Sequence, residues 1–163
     1  MPAYLRSLTL KRWAESLGPY EDHTTVPADP ISDLKTDGNV LSISLVEDDQ
    51  SNLKRVAAAF ACTRPDIRKL EFALVPHDAL EAAGFRIEKV RGQSPDTSAS
   101  DAYHFDLVSL TGVQLVKLAQ VIINTGAIQA FWSEQEVKEA IRASVEQDFI
   151  DLNRLTTKIK NSL

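Results

Sequence analysis

Between residues 40 and 62 the spacing of apolar side chains changes period once, and that change restricts the fold more than any other feature of the chain. "VLSISLV" sets Leu41, Ile43 and Leu45 against Ser42 and Ser44, the alternation of a strand with one buried face. From about Ser51 to Cys62 the spacing becomes helical, with Leu53, Val56, Ala57 and Phe60 on one side and Pro65 barring a long continuation. A strand running straight into an amphipathic helix lays that helix on its own sheet, so the chain is expected to mix both element types around one core.

The same periods extend through the rest of the sequence. "KLEFALV" reads as a second strand, "HDALEAAG" as a short helix closed by Gly84, and "FRIEKVR" as a third strand. The polar stretch Gly92 to Ser100 reads as mobile surface loop, and "AYHFDLVSL" as a fourth strand. A helix from Thr111 or Gly112 to Gly126 carries Leu115, Val116, Leu118, Ala119, Ile122 and Ile123, a face wide enough for burial between the sheet and another helix, the last one. The final helix opens with Ser133 and Glu136 at capping-box spacing and carries one stripe through Val137, Ile141, Val145, Phe149, Leu152, Leu155 and Ile159. Before residue 40 the reading stays open. Residues 4–17 suit a helix carrying Leu5, Leu8 and Leu17, or a short strand alternating through Leu8 and Leu10; Pro30 suits the start of one helical turn.

The expected fold is therefore α+β, a two-layer sandwich with a mostly antiparallel sheet of about four strands, helices chiefly on one face and a long C-terminal helix. The first strand–helix–strand step allows one parallel pair. The expected organisation is a single globular domain over 1–163, divided into an irregular or helical segment 1–39, a β-α-β-β-β-α core 40–131 and a helix 133–161. A chain of 163 residues buries roughly two thirds of its unfolded surface without staples. Eighteen basic against 23 acidic side chains give a net charge of −5, which argues against nucleic acid as the main partner. The lone Cys62 permits no internal disulfide and sits in the alanine-rich "RVAAAFAC", where a thiol is a buried hydrophobe. No leader-like start or bilayer-length apolar run is present, which places the protein in the cytoplasm with no membrane contact.

Two groups of residues carry possible chemistry. "LSISLVEDDQSNLKRV" resembles, over sixteen of the 163 residues, the opening of phosphoacceptor receiver domains. That resemblance implies magnesium held by Asp48 and Asp49 beside an aspartate on a later strand. The later strand here, "DLVSLT", offers Thr111 at that place, and threonine cannot replace the carboxylate nucleophile. On elementary grounds Asp48 and Asp49 are acids before a helix, where they offset its positive end and accept from free amides. In "DAYHFDL", strand geometry sends His104 and Asp106 to one face, an arrangement open to a base with its orienting group, to two metal ligands, or to a plain wetted sheet face.

The chain has no GxSxG, Walker, GxGxxG or HExxH pattern. The expectation is thus a non-catalytic, cofactor-free protein-binding or regulatory protein, such as an accessory, immunity or defence-system subunit of a bacterium. The alternative is a small metal-dependent enzyme or degenerate receiver-like domain using Asp48, Asp49, His104 and Asp106. A straight 133–161 helix extends for roughly 40 Å, beyond the breadth of a small domain. Leu152, Leu155 and Ile159 are therefore the expected partner-binding residues, toward another protein or a second copy.

Overall fold

A computed structural model describes residues 1–16, 18–128 and 131–163. Five strands, β1 (Ala3–Ser7), β2 (Leu41–Val46), β3 (Phe72–Pro76), β4 (Ile87–Lys89) and β5 (His104–Leu107), form one sheet in the order β3-β1-β2-β5-β4. Every neighbouring pair is antiparallel. The sequence suggested about four strands because β1 has no alternation to detect: Tyr4 and Leu5 point to opposite faces and both are buried. A strand covered on both sides loses its period-two signature. Its insertion between β2 and β3 also removes the possible parallel pair. Those two strands, joined through helix α2 (Leu53–Ala61), are parallel in direction but do not touch.

Helices lie on both faces, which corrects the two-layer expectation. On one face Tyr4, Leu41, Ile43, Val75 and Leu107 meet Leu80 of α3 (His77–Ala82) and Leu118, Ala119 and Ile122 of α5 (Gly112–Asn124). The second side of α5 is covered by the N-terminal segment, including α1 (Ala28–Asp33), and not by the last helix. On the other face Leu5, Val46, Phe72 and Leu74 meet Val56 and Ala57 of α2 and Val137 and Ile141 of α6 (Glu134–Glu146). Each fully buried Leu or Ile contributes about 1.5–3 kcal/mol, so both layers are integral to stability. Among the described residues no helix is long and apolar enough to cross a membrane.

The long C-terminal helix is not continuous. Ser133 and Glu136 form the expected capping box, but α6 ends at Glu146 and Asp148 takes a left-handed conformation with φ of 57°. The Phe149 amide bonds Ser144 O at 2.9 Å and the Asp148 amide bonds Val145 O at 3.0 Å, the paired bonds of a Schellman stop. The chain then folds back through a short turn, Leu152–Arg154, into α7 (Thr157–Ser162). Leu155 and Ile159 consequently lie in the chain's own core, 5% and 0% exposed, and only Leu152 of the three expected partner-binding residues faces outward. The Gly92–Ser100 stretch is likewise not all loop: Asp96 caps α4 (Thr97–Tyr103), which occupies the first part of the expected fourth strand. In the open N-terminal reading, neither the helix over 4–17 nor the strand through Leu10 forms; the strand is Ala3–Ser7, and Leu17 lies outside the described residues.

Candidate functional site

The β2–α2 turn is organised by Asn52, which is buried: its Oδ1 accepts from the Glu47 amide at 2.9 Å and its Nδ2 donates to Leu45 O at 3.1 Å. The acids around it are occupied locally. Asp49 accepts from the Ser51 amide at 2.9 Å, and that bond holds its carboxyl below the ordinary value; Asp48 is paired with the Met1 amino group at 2.7 Å.

His104 and Asp106 share a face of β5, as strand geometry requires, opposite Ser44 and Ser42 of β2. Four residues of strand from Ser42 to Val46 span about 13 Å, so Asp48 and Asp49, beyond Val46, stand at the far end from Asp106. The four residues are not brought together. Among the described residues no three His, Cys, Asp or Glu side chains gather closely enough to hold a metal ion. His104 Nδ1 lies 3.2 Å from Val90 O, and Gly92 passes directly over its ring, where an added Cβ would come within 3.0 Å of the imidazole. Asp106 Oδ1 is buried with no hydrogen-bond partner. No hydrogen bond joins His104 to Asp106 or to Ser44.

What His104 does join is a cleft of about 450 Å³ on the face of the sheet that bears α2. Its floor is Leu5 and Ser7 of β1, Ser42 and Ser44 of β2, and His104. One wall is α2 with Val56, Ala59, Phe60 and the following Thr63; the other is α4 with Ala99, Ser100 and Tyr103, under a rim of residues 91–94. The volume falls in the range of small-molecule sites, and the mixture of apolar walls with a few polar groups is their usual make-up. Ser42 is exposed although it lies in a strand with a neighbour on either side, because no helix covers this part of the sheet. The Ser42 and Ser44 hydroxyls, the Gln93 side-chain amide and the Tyr103 hydroxyl make no hydrogen bond among the described residues and are open to a ligand.

The walls are fixed by one buried ion pair. Arg55 of α2 donates from Nε to Asp96 Oδ2 at 2.7 Å and from Nη2 to Asp96 Oδ1 at 2.9 Å, and its guanidinium stacks 3.8 Å from the Phe149 ring centre. Asp96 is fully buried and also accepts from the Ala99 amide at 2.8 Å. Burial alone would raise its carboxyl; the bonds from Arg55, Ala99 and Ser98 together with the charge of Arg55 outweigh that and hold it below the ordinary value. At the C-terminal end of α2, Cys62 is buried and its thiol is pushed up to about 12 by burial, so it supplies no thiolate nucleophile near neutral pH.

Sequence reasoning included His104 and missed the rest of the cleft. The serines that alternate through β2 were the available signal: with helices on both sides of a sheet, polar residues on one side of a central strand mark a gap in the cover. The molecule is thus defined as an α+β protein with a five-stranded antiparallel sheet between helices and an open, hydroxyl-lined cleft. The chain matches no family model, no curated protein and no solved structure.

Proposed function

We propose that the chain is a non-catalytic binding or regulatory protein and that the cleft between α2 and α4 receives its ligand. The observation that supports this reading is the state of the polar groups there. Unused hydroxyls and an amide face the space, while the imidazole on its floor, His104, has no carboxylate partner and no hydrogen-bonded nucleophile among the described residues. Such a surface recognises without supplying a reaction.

The test is a thermal-shift screen of small molecules against the wild type and Ser42→Trp. Ser42 is exposed on the cleft floor, so tryptophan fills the cleft with a stability change within about 0.5 kcal/mol. A true ligand at a hundredfold its Kd stabilises the wild type by about 2.7 kcal/mol, loses that effect on Ser42→Trp, and is recovered chemically unchanged. Ligands that stabilise both proteins equally would move the site elsewhere. Conversion of the ligand by the wild type would make the protein an enzyme.

A further inference from the structure

Arg64 follows α2, is half-buried, and lies just behind the cleft lining, in the adjoining groove with Asp66, Arg68, Lys69 and Glu71. Its guanidinium lies 4.9 Å from the Phe60 ring centre; Nη2 donates to Ser7 Oγ at 2.9 Å and Nη1 to Lys69 O at 3.3 Å. Phe60 and Ser7 both line the cleft. The neighbouring cations are neutralised, Arg68 by Asp66 and Lys69 by Glu71, but Arg64 forms no ion pair among the described residues. Burial, then repulsion from Arg68, lowers its pKa from the ordinary value while Asp66 and Glu71 pull it back; an arginine so placed is still cationic at neutral pH. A partly desolvated cation whose direct hydrogen bonds go only to neutral acceptors, with Asp66 and Glu71 near but committed to Arg68 and Lys69, gains from an anion brought near.

Ser7 passes that preference into the cleft. Because its oxygen already accepts from Arg64, its proton points away from the guanidinium, and the cation strengthens it as a donor. The free hydroxyls of Ser42 and Ser44 stand on the same floor, and no Asp or Glu lines the space. Asp106, opposite Ser42, lies on that sheet face outside the lining, so the favourable end for negative charge is the Ser7 end. Arg91 on the rim is exposed and already paired with Asp101 at 3.0 Å, and contributes little. Val56, Ala59 and Phe60 offer an apolar wall beside the hydroxyls.

We propose, resting on the reading of the cleft as the ligand site, that its ligand is a small organic anion. A carboxylate or phosphate head is held by Ser7 and Ser42 with Arg64 behind them, and an apolar body lies against Phe60 and Val56.

The test is a titration of backbone amide NMR signals with benzoate, phenyl phosphate and benzyl alcohol at constant ionic strength, on wild type, Arg64→Gln and Ser7→Ala. At least one of the two anions shifts the amides of residues 42–44 and 59–63 and binds about tenfold more tightly than the alcohol, as expected for a hydrogen bond to a charged group. Benzoate and phenyl phosphate separate the two head groups. Both variants bring the anion down to the affinity of the alcohol, and Ser7→Ala keeps the test valid if Arg64→Gln fails to fold. Equal binding of alcohol and anion overturns the anionic class while leaving the cleft as the ligand site. Shifts confined to Arg68 and Lys69 overturn it in favour of surface charge. Silence of the cleft amides toward all three probes also overturns it, and the screen with Ser42→Trp then decides separately whether the cleft binds anything.

Discussion

Asp96 is the one fully buried acid in the structure's described core, and Arg55 is the residue that makes its charge tolerable. Removing one partner from such a pair costs about 3–5 kcal/mol, because the other charge is left without compensation. Arg55→Met is the more damaging choice, since Arg55 reaches solvent and Asp96 does not. The pH dependence has a definite sign. In the wild type the depressed carboxyl contributes stability above the ordinary carboxylate range and loses it as pH falls through the folded-state pKa. In Arg55→Met burial acts unopposed and raises the same carboxyl, so the penalty relaxes on acidification. The stability gap between the two proteins is expected to be widest near pH 7 and to narrow toward pH 4, as measured by urea unfolding across that range. A gap independent of pH would mean that Arg55 acts through its stacking on Phe149.

Three helices end in the same bonding pattern, and only two of the endings were legible. Gly84 and Gly126, with φ of 77° and 61°, stop α3 and α5 where the sequence indicated. At the end of α6 the left-handed position is held by Asp148, an acid indistinguishable in sequence from any surface residue of a continuing helix. The apolar stripe added to the error. Val137, Ile141, Leu155 and Ile159 all enter one core, but the first two do so from α6, and after a reversal Leu155 enters from the connecting segment and Ile159 from α7. A periodic pattern records which residues are buried and not whether the axis stays straight. The conformation gives a direct prediction: Asp148→Gly, relieved of its Cβ, stabilises the protein by about 0.5–1 kcal/mol, read as a raised denaturation midpoint with unchanged slope. Destabilisation of that size would show that the Asp148 side chain contributes something the turn geometry does not.

At the scale of the molecule, a strand is legible either by a wet face or by an unbroken apolar run, and β3, buried from Phe72 to Val75, shows in "KLEFALV" as such a run. β2 announced itself because Ser42 and Ser44 alternate with Leu41 and Ile43; β1, buried on both sides, was left between a helix and a misplaced strand. The cleft was partly legible for the same reason. Of its floor, the sequence reading names His104 as a candidate and the two serines only as the polar side of β2, whereas Ser7, Arg64 and Asp96 become neighbours only through contacts between distant segments. Of the acid pair, prominent in sequence, Asp49 serves its own turn and Asp48 pairs with the Met1 amino group. A hydrogen-bonded asparagine such as Asn52, buried at a strand–helix junction, would have been the better guide to that turn.

The position of β1 inside the sheet, between β3 and β2, also governs the order in which the molecule can assemble. Leu5 pairs with Ser44 and with Leu74, so this interior strand has no partner close to it in the chain, while helices such as α5 close locally. Long loops must be closed before those pairings repay their entropy, and such topologies fold slowly. Docking of β1 is therefore expected after the rate-limiting barrier. Leu5→Ala, at about 2–5 kcal/mol of lost stability, should accelerate unfolding and leave the folding limb of the chevron nearly unchanged. A slowed folding limb would put β1 in the nucleus. Until that strand is seated, both faces of the sheet present an unfilled seam between β2 and β3, and the half-assembled chain offers a slot of the right width for the same strand of another copy, a route to strand exchange at high concentration.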